Sequence, residues 1–226
     1  MAASPPGDSA VRELPMFPLQ RLPLPGSALP LHVFEPRYTE LTRFCLDGDR
    51  LFGVVLIMRG SEVGSDPGQV RSDLGVLVRI LRARRVEGER WIMETECLER
   101  LRVHRWLPDD PYPRALTESW PDPPVPVDSE LAQAAVVTEA FRRIVELLGA
   151  DRAGGIPELR FDRLSSDPAR AAYQLCSAAP VGELDRLRLL GAPTTPERLG
   201  LLAELLAGVE ETLRLLRGGG DDLSPA

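Results

Sequence analysis

Apolar residues recur at two different spacings along this chain, and the change of spacing divides it into two halves. Up to about residue 106 the spacing is mostly two: Val76, Val78 and Ile80 alternate with their neighbours, and the apolar run 51–58 has the length of a buried strand. From about residue 130 onward, apolar residues return every three or four positions, as on one face of a helix. The pattern predicts an α+β protein with a β-rich first half and a helical second half.

One helix and one hairpin are expected within the β-rich half. The helix would begin at Pro36, which suits a first helical position, and would end at Gly48. Gly88 lies between two strand-like segments and can supply the positive φ of a hairpin turn. Leu101 and Val103 would then lie on one face of a further strand.

The helical half contains four recognisable helices. The first carries a stripe from Val137 to Leu148, the second opens at Asp167 and runs through Cys176, and the third covers 182–190. Thr194 and Glu197 have the spacing of a capping box before the last helix. The stripe of this last helix consists of Leu199, Leu202, Leu205, Leu206, Val209, Leu213 and Leu216. We interpret it as the core of a bundle rather than as a dimerising zipper.

A Pro-dense segment separates the two halves, and proline can neither continue a helix nor occupy a central strand. We therefore predict a β subdomain at 13–120, a linker at 121–127 and a bundle of four to five helices at 128–217. The ends, 1–12 and 218–226, are rich in Gly, Ser, Pro and Asp and are predicted to be disordered tails.

Composition narrows the classes of function. A formal net charge of -7 opposes general binding to phosphate backbones. The three cysteines are widely spaced, which predicts neither a disulfide framework nor a metal site, and we expect no cofactor and a cytoplasmic location. The start of the sequence has no signal-peptide pattern, and no apolar run approaches the ~20 residues of a membrane span, so no membrane is expected.

All 27 basic residues are arginines, because the sequence contains no lysine. A P-loop uses a lysine to reach the nucleotide phosphates, and a Ser-Lys dyad uses one as its general base. His32 and His104 stand in strand-like segments without a nucleophile at motif spacing, and we interpret both as structural. The sequence therefore predicts no catalytic residues and no enzyme.

Several short motifs in a fixed order carry a family resemblance. They are Leu-Pro-Met-Phe-Pro-Leu at 14–19, Leu-Pro-Gly at 24–26, Phe-Glu-Pro-Arg-Tyr at 34–38, Phe-Gly-Val-Val at 52–55 and Glu-Arg-Leu-Arg-Val at 99–103. In this order and spacing the chain resembles the N-terminal substrate-binding domain of Lon proteases, and we expect a stand-alone bacterial member. The resemblance implies a PUA-like, mostly antiparallel β pseudo-barrel with one helix, followed by an α-helical bundle.

The resemblance also implies a function, which is the binding of unfolded or partly folded polypeptide, with a protease or chaperone as partner. Polypeptide would dock on a sheet edge or in a groove through main-chain hydrogen bonds and apolar contacts. The residues expected to contact it are Phe34, Arg37, Tyr38, Arg100 and Trp106. For the 34–38 motif the favoured interpretation is architectural, because an X-Pro step suits a strand-to-helix corner, and contact with substrate is the alternative.

Two other functions stay open. PUA-type folds are known for RNA binding, and residues 75–106 contain eight arginines against five glutamates, although no stacked-aromatic signature accompanies them. Nucleic acid is therefore the less favoured ligand. Lon-like domains also occur in adaptors of the cereblon type, but this sequence lacks the CxxC pairs of their zinc-binding domain. The pattern does not determine an oligomeric state.

Overall fold

The computed structural model of the chain describes residues 11–64, 66, 68–124, 127–148 and 164–218. The Cα positions separate into two compact units, Met1–Pro121 and Asp122–Ala226. The predicted tails fall almost wholly outside the described residues, as do parts of the predicted linker and bundle. Among the residues that are described, no helix is long and apolar enough to cross a membrane.

Six strands and one α-helix make up the described part of the first unit. In chain order they are β1 (Arg12–Leu19), β2 (Leu31–Val33), α1 (Pro36–Asp47), β3 (Leu51–Arg59), β4 (Val70–Val86), β5 (Arg90–Trp106) and β6 (Arg114–Ser119). β1 begins at Arg12, a residue predicted to belong to the tail. β5 is one strand of 17 residues, so the separate strand expected around Leu101 is the second half of β5.

The sheet closes on itself. β3, β4 and β5 pair antiparallel in that order, while β1 pairs in parallel with β3 and antiparallel with β6. Because β6 also pairs with the end of β5, these five strands form a ring, and β2 is added beside the start of β5. A closed ring leaves no open edge among the segments that form it. The predicted mostly antiparallel β pseudo-barrel is confirmed.

Two glycines allow β3 and its neighbours to approach closely inside this barrel. A Cβ built on Gly75 would collide with the carbonyl oxygen of Val54 and would lie 2.7 Å from Cγ1 of Val55. A Cβ on Gly53 would lie 2.6 Å from the Sδ atom of Met16. Met16 and Val55 are both fully buried, so neither has solvent space into which it can retreat.

The local signals in the first unit behave as expected. Glu35 is extended (φ -78°, ψ 137°), α1 begins at Pro36, and the N–H of Gly48 ends the helix by bonding to the carbonyl oxygens of Phe44 and Cys45. Gly88 has a φ of 72° in the turn that joins β4 to β5. The corner and the hairpin are confirmed.

The second unit is helical. Its described helices are α2 (Val127–Leu148), α3 (Pro168–Ala178), α4 (Glu183–Gly191) and α5 (Thr195–Gly218). Asp167 accepts a hydrogen bond from the N–H of Arg170 at 3.2 Å, and Thr194 accepts one from the N–H of Glu197 at 3.3 Å. These caps explain why α3 and α5 begin where the sequence predicts.

In the second unit, fewer residues of the apolar stripes are buried than their periodicity predicts. Val137, Phe141 and Ile144 of α2 are buried as expected, and Leu202 and Leu206 of α5 are fully buried. Leu216 at the end of the α5 stripe is 72% exposed, so the apolar periodicity of α5 continues beyond the buried face. The side chain of Leu148 lies outside the described residues.

A buried cation holds this unit together. Arg198 on α5 is 0% exposed, donates to the carbonyl oxygens of Leu189 (3.0 Å) and Ala192 (3.2 Å), and lies 4.1 Å from the ring centroid of Tyr173. Its Nη2 atom donates to Oδ1 of Asp122 at 2.7 Å. Leaving the buried guanidinium unpaired would be costly. The bond to Asp122, the first residue of this unit, therefore connects the start of the unit to its core.

Burial also governs the cysteines. All three are free and buried, and burial raises the pKa of the Cys45 and Cys176 thiols to about 12 and that of Cys97 to about 11. The thiols therefore stay protonated at physiological pH and act as small apolar side chains.

The close approach at Gly75 generates a stability prediction. We expect Gly75→Ala to lower the free energy of unfolding by about 1–3 kcal/mol, because its methyl group would overlap the backbone of β3. Denaturant unfolding followed by circular dichroism measures this change. Gly200→Ala on α5 is the matched control, since nothing lies within 4 Å of its Cβ and alanine favours a helix. Equal stability of the Gly75→Ala variant and the wild type would contradict the close approach.

The ion pair between Arg198 and Asp122 generates a second stability prediction. Asp122→Ala should lower the free energy of unfolding by about 3 kcal/mol, because it removes the carboxylate from a fully buried guanidinium. Adding Arg198→Met should recover part of this loss, since the charge then disappears as well. A double-mutant cycle of chemical unfolding measures the coupling, and strictly additive losses would disprove it.

Candidate functional site

A groove of about 620 Å³ opens in the first unit where β4 begins and β5 ends. These two strand ends are adjacent because β4 and β5 pair antiparallel, with Leu74 opposite Arg102. The start of α1 supplies another wall, and the segment between β3 and β4 supplies the rest. The residues that line the groove are Arg37, Asp66, Gln69, Val70, Arg71, Trp106, Leu107 and Asp109.

Trp106 and Arg71 form the aromatic and cationic side of the groove. The guanidinium of Arg71 lies 4.7 Å from the centroid of the Trp106 ring. Arg71 also donates to Oε1 of Gln69 at 2.7 Å and forms two hydrogen bonds with the carboxylate of Asp109, one of them 3.0 Å long. The side chain of Arg71 is 12% exposed, so these bonds fix it while one surface stays accessible.

Arg37 stands at the start of α1 on a buried aromatic stack. Its guanidinium lies 4.5 Å from the ring centroid of Tyr38, and that ring stacks on Phe17 with centroids 4.0 Å apart. Arg37 donates to Oε2 of Glu35 at 3.1 Å and to the carbonyl oxygen of Glu62 at 3.3 Å. The strand-to-helix corner therefore positions Arg37, because Pro36 sets the first turn on which it stands.

Asp66 organises the segment between β3 and β4. Its carboxylate accepts hydrogen bonds from the N–H groups of Ser61 (3.0 Å) and Gly68 (2.9 Å). Gln69 closes the same loop by donating to the carbonyl oxygen of Ser61 at 2.6 Å. The loop thus presents a fixed carboxylate to the groove.

The groove combines both signs of charge with apolar surface. Two guanidiniums, of Arg37 and Arg71, face two carboxylates, of Asp66 and Asp109. Val70, which is 41% exposed, and the partly buried Leu107 add apolar contact area beside the indole. Such a lining offers donors and acceptors together, which suits a main chain better than it suits a polyphosphate.

The predicted contact residues separate into different places. Arg37 and Trp106 line the groove, and Tyr38 lies beneath Arg37 at 3% exposure, where burial raises the pKa of its hydroxyl to about 12. Tyr38 therefore supports the groove wall from inside. Phe34 is 55% exposed beside β2 and is not among the residues that line the groove.

Arg100 is corrected from a surface contact to a structural residue. It is 1% exposed, donates from Nε to the carbonyl oxygen of Trp120 at 2.8 Å, and lies 3.8 Å from the Trp120 ring centroid. A guanidinium enclosed in this way holds the end of β6 against β5 and cannot also meet a polypeptide on the surface.

Six lining residues escaped the sequence analysis: Asp66, Gln69, Val70, Arg71, Leu107 and Asp109. Arg71 and Asp109 are far apart in the chain and meet through the register of β4 and β5. The sequence Pro-Asp-Asp-Pro at 108–111 is a turn signal that could have drawn attention to Asp109. Nothing in the sequence near Arg71 indicates its partner.

His32 and His104, the two histidines of the sequence, are not among the residues that line the groove. The described residues contain no group of three or more His, Cys, Asp or Glu side chains placed to hold a metal ion. His104 lies 3.1 Å from Oε2 of Glu118 on the neighbouring strand β6, and His32 packs edge-on against Phe34.

Comparison with known proteins finds a family model that matches most of the chain. Residues 13–208 match the family model of the ATP-dependent protease La (LON) substrate-binding domain. The chain is 27% identical over 220 residues to Lon protease 2 of Sorangium cellulosum (strain So ce56). The aligned segment covers 94% of this chain but only 26% of that protein. The chain therefore spans about a quarter of the length of this relative.

Solved structures share the fold. A Lon N-terminal domain protein from Xanthomonas campestris matches with a TM-score of 0.59 and 28% identity, covering 87% of this chain and 98% of that one. The N-terminal domain of the Mycobacterium avium complex Lon protease matches with the same TM-score and coverage at 15% identity, which is a likeness of fold. The ordered motifs, the closed barrel and the match over residues 13–208 lead to one conclusion: this chain belongs to the Lon substrate-binding domain family.

Proposed function

We propose that this chain binds unfolded or partly folded polypeptide in the groove between Arg37 and Trp106, and performs no ATPase or protease chemistry itself. The observation that carries the proposal is the lining of the groove, in which an indole and apolar side chains lie beside two arginines and two aspartates. The matched family is described by its substrate-binding role, which supports a binding function for the whole chain.

The chemistry of an unfolded chain fits this lining. Every residue of a polypeptide except proline carries one N–H donor and one carbonyl acceptor, so a general binding site needs partners for both. Asp66 and Asp109 supply acceptors, while Arg37 and Arg71 supply donors. Trp106 and Val70 add apolar contact that does not depend on one particular side chain. The site therefore favours polypeptide without demanding a strict sequence.

The proposal extends to a partner. The matched model describes a domain of an ATP-dependent protease, and the relative from Sorangium cellulosum is nearly four times as long as the matched segment. The sequence contains no lysine, so its residues can form neither a P-loop nor a Ser-Lys dyad. We therefore infer that bound polypeptide is passed to a protease or chaperone that supplies the chemistry.

Replacement of Trp106 by alanine tests whether the groove binds polypeptide. We expect Trp106→Ala to weaken binding of a fluorescently labelled, alkylated and permanently unfolded polypeptide of near-zero net charge by roughly tenfold. Fluorescence anisotropy at low and moderate salt measures the affinity. Phe44→Ala is the matched control, because Phe44 is an exposed aromatic residue (59%) outside the groove.

A second groove variant separates lost binding from lost folding. Val70→Ser changes an exposed position at the rim and should weaken binding severalfold with little change in the thermal midpoint. Unchanged affinity in both Trp106→Ala and Val70→Ser would sink the proposal. Preferential binding of a labelled single-stranded RNA over the polypeptide would do the same and would favour the nucleic-acid alternative.

A further inference from the structure

The far end of β4 projects beyond its partner β3. β3 pairs with β4 as far as Arg79, and the N–H of Ile80 then donates to the carbonyl oxygen of Arg50 at 2.9 Å. From Leu81 to Val86, β4 pairs on one side with β5, and no strand among the described residues pairs with its other side. This stretch, which we name the β4 edge, presents main-chain groups of the kind that an added strand would use.

The β4 edge is strongly basic in an acidic protein. Residues 81–86 contain three arginines and no carboxylate, whereas the net charge of the whole chain is -7. Arg82, Arg84 and Arg85 are all exposed. Arg85 pairs with Glu89 in the turn, and Arg82 lies 3.9 Å from Glu94 on β5 with both side chains open to solvent. Such exposed pairs are weak and exchange partners readily.

Arg84 stands opposite an exposed apolar residue of β5. The register places Ile92 of β5 across from Arg84, and His32 of β2 across from Ile92. Ile92 is 40% exposed, and Phe34, with its ring 6.3 Å from that of His32, is 55% exposed. This face of the sheet therefore continues from the basic edge into an exposed apolar strip.

We propose that the β4 edge is a second docking surface, which takes an extended acidic segment of a polypeptide as an additional strand. Side chains that stand directly opposite each other on neighbouring strands lie about 4.5–5.5 Å apart at Cβ. An added strand with acidic residues at alternate positions would therefore place carboxylates beside Arg82 and Arg84. Its main chain would pair with the unpaired side of β4, which a merely electrostatic contact does not require.

Charge complementarity favours polypeptide over nucleic acid here. An RNA strand would need bases to stack on aromatic residues, and the described β4 edge contains none. An acidic strand uses both features that the edge offers, namely the arginines and the main-chain groups that no strand of the described residues pairs with. This surface lies at the opposite end of β4 from the groove, so its failure would leave the proposed function standing.

Charge reversal at Arg82 and Arg84 tests whether these arginines bind an acidic peptide. The probe is a labelled ten-residue peptide of alternating Glu and Val, compared with the same peptide carrying Lys in place of Glu. We expect the full chain to prefer the acidic peptide, and Arg82→Glu combined with Arg84→Glu to weaken its binding roughly tenfold at low salt. Arg170→Glu with Arg188→Glu is the matched control, because it changes the net charge equally at exposed positions of the second unit.

Backbone methylation of the probe tests strand addition itself. An acidic peptide N-methylated at alternate residues keeps its charge but loses the hydrogen-bond donors of one edge, so we expect its binding to fall at least tenfold when those donors face β4. Equal binding of the methylated peptide would overturn strand addition, and equal binding of the Lys peptide would overturn the preference for an acidic segment.

The remaining outcomes are also decisive. Tighter binding of single-stranded oligouridine, abolished by the same reversal of Arg82 and Arg84, would make the edge a nucleic-acid site and overturn the proposal. Self-association in sedimentation that the reversal abolishes would assign the edge to a second copy of this chain. Reversal of Arg82 and Arg84 should leave the affinity for the unfolded polypeptide of near-zero net charge unchanged, which distinguishes this surface from the groove.

Discussion

The first unit depends on the return of β6 to both β1 and β5, because this double pairing closes five strands into a ring. Closure forces β3 against β4 and β1, and the approach is possible only where side chains are absent, at Gly53 and Gly75. The hairpin turn at Gly88 sets the register of the long strands β4 and β5. The groove at one end of these strands and the basic edge at the other are consequences of that register.

The groove is a fixed surface made from paired charges. Arg71 is held by Asp109 and Gln69, and Arg37 is held by Glu35, so neither arginine has to be ordered when a ligand arrives. Preordered side chains reduce the entropy lost on binding. The charges nevertheless balance, which keeps the groove from attracting one strongly charged partner. This combination is consistent with a family described by substrate binding rather than by a single ligand.

Local sequence signals predicted most of the elements. Pro36 and Gly48 mark the ends of α1, Gly88 marks the hairpin, and Asp167 marks the start of α3, because each acts through backbone conformation or capping within a few residues. The apolar stripe of α5 predicted burial less reliably, because its periodicity runs to Leu216, which is exposed. Periodicity shows which side chains share a face, but only packing decides how far that face is covered.

The sequence by itself determined the α+β class, the family, and two residues of the groove, Arg37 and Trp106, which the motifs and the aromatic candidates contained. Only the tertiary structure decided that Arg71 meets Asp109, and that Arg100 is enclosed beside Trp120 rather than exposed. The physical reason is the range of the interactions. Backbone preferences and apolar periodicity act between near neighbours in the chain, whereas contacts between distant charges depend on the pairing of long strands and on the irregularities that shift their register.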